Sequence, residues 1–129
     1  MSKGYAAYKS AVQATESDRT REYRAIGLIT AKLERALPII ASPDVRDVAQ
    51  VQDALHHNIE LWTLLRMACI DPSNKLPQEL CASLINIARF MQSSTDQLNA
   101  ADVPDGAVLE AMIEINKNVM AGLSPVPNS

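Results

Sequence analysis

Apolar residues recur along this chain in steps of three and four, the spacing that lines up side chains on one side of an α-helix. The clearest run is Tyr23, Ile26, Thr30, Leu33, Leu37 and Ile40, with Lys32, Glu34 and Arg35 off the seam and expected to face water. Thr15 and Ser17 offer hydroxyl caps ahead of it. Before them, Tyr5, Ala6, Ala7, Tyr8, Ala11 and Val12 suggest a short N-terminal helix, marginal by itself at that length and expected to pack on the bundle or fray. Pro38 removes a donor and disfavours helical geometry at Leu37, so the helix is expected to end or kink there.

Ser42-Pro43-Asp44 restarts the signal, with a hydroxyl cap, a proline suited to the first helical position, and Asp44 and Asp47 near the positive end of the helix dipole. Val45, Val48, Gln52, Leu55, Ile59, Trp62, Leu65 and Cys69 then trace one face, and Asp71-Pro72-Ser73-Asn74 breaks it. A further helix is expected to begin between Asn74 and Pro77 and to carry Leu80, Leu84, Ile87, Met91 and Leu98 inward. The short connection makes these two helices an antiparallel hairpin. After the polar stretch containing Asp102, Pro104, Asp105 and Gly106, a last helix from about Ala107 places Leu109, Met112, Ile113, Asn116, Met120 and Leu123 on one side, with Val108, Ile115 and Val119 as a second apolar stripe. The pattern predicts an all-α antiparallel bundle of four main helices with a short helix at the N-terminus. It forms a single domain over residues 1–123, followed by a flexible tail at 124–129.

Composition narrows the class without naming a function. The chain is 47% hydrophobic yet has one Trp, one Phe and three Tyr, so the core must be aliphatic. The net charge of -3 is unevenly spread: residues 1–40 carry seven basic and four acidic side chains, residues 41–129 five and eleven. The acidic remainder argues against direct nucleic-acid binding through a whole-protein field. No apolar run is long enough for a membrane span, no secretory signal is evident, and two cysteines are too few for a disulfide scaffold. A cytoplasmic protein with reduced thiols is expected.

Chemistry is sparse. His56 and His57 with Cys69 and Cys81 invite a zinc site, but Cys69 lies twelve residues beyond His57 on one helix, about 18 Å at 1.5 Å per residue. The two cysteines are near one another across the hairpin, and packing is the simpler role for them. No glycine-rich phosphate loop or nucleophile elbow is present. Neither a catalyst, a metal nor a cofactor is expected.

One ordered set of motifs says more. Asn58-Ile59-Glu60-Leu61-Trp62-Thr63, then Asn74-Lys75-Leu76-Pro77-Gln78-Glu79-Leu80, then Ser83-Leu84-Ile85-Asn86-Ile87 resemble the flagellar biosynthesis regulator FlaF family of alphaproteobacteria. Ile113-Glu114-Ile115-Asn116 with Gly122-Leu123 resembles that family's closing helix, and the resemblance spans roughly residues 5–123. It departs at Met67-Ala68, where the family often has acidic residues, at Cys81 in place of Arg, and at Phe90 in place of Trp. The resemblance implies a cytoplasmic protein for flagellin production and export that binds flagellin as a secretion chaperone, with the regulator FlbT as a further partner. The candidate partner-binding or motif residues it implies are Asn58, Leu61, Trp62, Thr63, Leu76, Pro77, Leu80, Leu84, Ile87, Ile115 and Asn116. Of these, Asn58, Thr63 and Asn116 are the polar ones on helices and so ask for a partner. The alternative is an RNA-associated regulator of flagellin expression acting through Arg19, Arg21, Arg24, Lys32 and Arg35 in the basic first third.

Overall fold

The computed structural model describes residues 3–41 and 48–123, with side-chain environments for 20–40 and 48–122. Four helices account for nearly all of it: α1 (Lys3–Ala41), α2 (Val48–Ile70), α3 (Gln78–Ala100) and α4 (Gly106–Leu123). Among the described residues there is no strand.

The helices run up, down, up and down. α1 packs chiefly on α4 and α2, α2 on α3, and α3 more thinly on α4. Side-chain pairs fix the directions. Lys32 reaches Asp53 and His57 across α1 and α2, Gln52 bonds Asn99 and Asn58 meets Met91 across α2 and α3, and Lys117 of α4 pairs with Glu34 of α1. At Gly27 the side chains of α4 come close to α1: a methyl group there would sit 3.2 Å from Cε of Met120. The core joins Leu33, Ala36, Ile40, Leu55, Trp62, Met91, Leu98, Leu109, Met112 and Ile113, drawn from all four helices.

Several expectations from the sequence are corrected. No separate short helix precedes the first long one, because α1 runs unbroken for 39 residues through Thr15 and Ser17. Nor does α1 end at Leu37. It continues past Pro38 to Ala41, since the proline lies in the last turn, faces solvent, and is flanked by the buried anchors Ala36 and Ile40. Packing of those anchors outweighs a lost backbone bond of about 3 kcal/mol. The face of α2 is also turned. Val48 and Gln52 are exposed, whereas Ala54, Leu55, Asn58, Leu61 and Trp62 are buried, a rotation of roughly 60° from the apolar seam at 3.6 residues per turn. The Ser42-Pro43-Asp44 cap and the tail at 124–129 lie outside the described residues.

α3 carries Met91 and Leu98 inward as expected, with Leu84 and Ile87 half-buried, but Leu80 is exposed. Cys81, one residue on, takes the buried position instead, so the inward stripe begins with a smaller side chain than the pattern suggested. α4 follows its expected face closely: Leu109, Met112, Ile113 and Asn116 are buried and Met120 is half-buried. Its second stripe of Val108, Ile115 and Val119 is half-buried against the core. α4 begins at Gly106, where the Asp105 carboxylate accepts the Ala107 N–H at 2.9 Å, a cap that also suits the helix dipole.

Candidate functional site

The most constrained side chains form a polar chain through the core. Asn58 and Asn116 are each 0% exposed and Trp62 is 1% exposed. An indole N–H can only donate, so Trp62 Nε1 fixes Asn116 with Oδ1 towards it, at 3.0 Å. Asn116 Nδ2 is thereby left to donate to Asn58 Oδ1 at 2.9 Å, and Asn58 Nδ2 in turn meets the Met91 sulfur at 3.3 Å. Three helices are joined in one sequence of bonds. Among the described residues, no buried side-chain nitrogen or oxygen lacks a partner. The two asparagines therefore find one another, and neither is left over for an outside ligand. They fix the register of α2 against α4.

The α2–α3 turn is tied by Asn74. Its Oδ1 accepts the Leu76 N–H at 2.6 Å, while Nδ2 lies 3.0 Å from both the Cys69 carbonyl oxygen and Cys81 Sγ. One side chain thus joins the last turn of α2 to the first turn of α3. Asp71 accepts the Ser73 N–H and hydroxyl at 2.9 and 2.7 Å, and these bonds, the backbone one first, hold its carboxyl below the usual range. Pro77 is the N-cap of α3, and its carbonyl accepts the Cys81 N–H. The Asn-x-Leu-Pro motif is in this sense a turn and helix-start device.

Cys69 and Cys81 are free thiols close enough to interact. Burial, then a hydrogen bond and charge coupling to Cys81 and the charge of Glu22, push the Cys69 thiol up to about 11, which keeps it protonated at neutral pH. His57 is half-buried and His56 exposed. His57 Nδ1 lies 3.0 Å from Lys32 Nζ and 3.3 Å from Asp53, and His56 pairs with Glu60 at 3.0 Å. Lys32, expected to face water, is thus held against α2. Among the described residues, no three of His, Cys, Asp and Glu converge as a metal site would require.

The outward surface is different in kind. Leu64, Met67 and Ile70 on the last turns of α2, Leu76 in the turn and Leu80 at the start of α3 are all exposed, Leu64 at 66% and Met67 at 61%. Alongside, an open cleft of about 350 Å³ lies between α2 and α3. Ile59, Trp62 and Ala88 supply apolar lining, Thr63, Gln92 and Ser93 polar groups, and Arg66, Arg89 and Asp96 charge. Among the residues taken from the family motifs, Trp62 and Thr63 meet at this cleft. Asn58, Leu61 and Asn116 are buried, Leu84, Ile87 and Ile115 are half-buried, and Leu76, Pro77 and Leu80 are exposed around the turn. The sequence reading missed Leu64, Ile70, Arg66 and Arg89. The available signal was that α2 is apolar on two sides.

The fold is thus that of a small all-α four-helix bundle whose surface includes an apolar hairpin end and a mixed cleft. The chain belongs to the FlaF family: the family model described as flagellar protein FlaF matches residues 5–123. This is a flagellar role. No curated protein and no solved structure matches the chain. Among the described residues no helix is long and apolar enough to cross a membrane.

Proposed function

We propose that this protein is a cytoplasmic flagellin-binding chaperone that promotes flagellin synthesis and export, a binding protein with no catalytic step of its own. The observation that carries the reading is the row of large apolar side chains exposed at the α2–α3 turn, Leu64, Met67, Ile70, Leu76 and Leu80, on a chain of a flagellar family. Exposed apolar groups gathered at one end of a small bundle mark an interaction surface. An amphipathic segment, unfolded before assembly, can lay its apolar face on such helices. Ordering that segment costs free energy, which keeps the complex weak enough to release the client. FlbT is the further partner in this reading.

The test is co-purification of the chain with unpolymerised flagellin from the same cells. A defined complex supports the reading. Failure to bind any of that organism's flagellins at micromolar concentration overturns it.

A further inference from the structure

The cleft between α2 and α3 has a charge pattern that the apolar end of the hairpin does not explain. Arg66 and Arg89 are both exposed on its rim, and among the described residues neither is paired with a carboxylate. Among those residues Arg24, Arg35 and Lys75 likewise lack a carboxylate partner, but acidic residues outnumber basic ones eleven to five over residues 41–129, so two arginines on one rim contrast with the charge of that part of the chain. The acid that also lines the cleft, Asp96, lies two turns along α3 from Arg89 and accepts Gln92 Nε2 at 3.0 Å. One end of the cleft is therefore cationic, and Ile59 and Ala88, over the buried Trp62, give it an apolar part.

We infer that this cleft takes an apolar anchor side chain of a helical protein segment, with Arg66 and Arg89 pairing to an acidic side chain about one turn away on that segment. A volume of about 350 Å³ is at the small end of the range for ligand pockets, enough for one or two large side chains. A guanidinium pair recognises a carboxylate by geometry as well as charge, so the cleft selects acidic amphipathic helices over neutral ones. It also sets their direction, because an acidic group laid near Asp96 is repelled. In taking a helical protein segment as the occupant the inference rests on the chaperone reading, and it adds which face binds and what the client must carry.

The experiment uses the full chain and two fluorescein-labelled synthetic amphipathic helical peptides, one with Glu flanking its apolar face and one with Gln at the same positions. Binding is read by anisotropy. The Glu peptide is expected to bind about tenfold more tightly than the Gln peptide at low salt, with the difference shrinking as sodium chloride is raised. In the R66Q/R89Q variant, whose changes fall on exposed helical positions and whose fold circular dichroism checks, the two peptides should bind alike. Equal affinity of both peptides for the unaltered chain, or no binding of either, overturns the inference. Flagellin capture is run in parallel. Undiminished capture by R66Q/R89Q removes the cleft and leaves the chaperone reading standing, whereas peptide discrimination without flagellin capture keeps the cleft and removes flagellin.

Discussion

Asn116 is the residue on which most depends, because it both accepts from Trp62 and donates to Asn58. Its replacement by Ala strands two buried polar groups and leaves a small void, so N116A should lose about 2–4 kcal/mol in urea denaturation. N58A should cost less, since it strands only the Asn116 amide, and the double variant should cost less than the sum of the two singles. Additive losses would show that the two amides do not act together. Cys69 gives a second prediction at this scale. With its thiol raised to about 11, it should react slowly with iodoacetamide at pH 7 in the folded protein, more quickly in urea, and faster in the folded state as pH rises towards that value. Equal rates at pH 7 in both states would contradict it. The chemistry of these residues was plain in the sequence, but their burial was not. Asn58 and Asn116 read as polar groups in want of a partner, and only folding shows that each is the other's partner.

At the level of elements, α3 is held at its start by Asn74 rather than by a side-chain cap, because Pro77 is the N-cap and makes no such bond. N74A removes contacts to the Cys69 carbonyl and Cys81 Sγ and should destabilise the hairpin by about 1–2 kcal/mol, with hydrogen exchange rising first in the residues around the turn. Protection lost evenly over the bundle would argue against this role. The four main helices, their type and their order were legible because the three-and-four spacing and the breaker clusters at Asp71-Pro72 and around Pro104 act locally. Two boundaries were not. Pro38 and the Thr15/Ser17 region carry real local signals, yet α1 runs through both. For Pro38 the reason is packing: Ala36 and Ile40 on either side are buried. The face of α2 was displaced for a related reason. A hydropathy pattern turns away from Asn58, although that asparagine lies at the centre of the buried arc once Asn116 satisfies it.

For the whole molecule, the decisive contrast is between an interior whose polar side-chain atoms are matched among the described residues and an exterior on which five of the large exposed apolar side chains gather at the α2–α3 turn, with Leu28, Val48, Phe90 and Val103 exposed elsewhere. Replacing Leu64 and Met67 by Asp should abolish flagellin capture while shifting the melting temperature by only a few degrees, because both side chains are already solvated. A large fall in melting temperature would instead assign them to packing. By itself the sequence determined the helical class, the four main helices and their order, and the family, because periodicity, turn residues and motif order are properties of neighbouring residues. It could not determine which side of α2 faces inward, that Leu80 lies outside while Cys81 lies within, or that Arg66 and Arg89 share one cleft with Trp62. Those depend on pairs far apart in the chain, as Asn58 and Asn116 are, and the free energy that chooses among them is shared between helices rather than carried by any one of them.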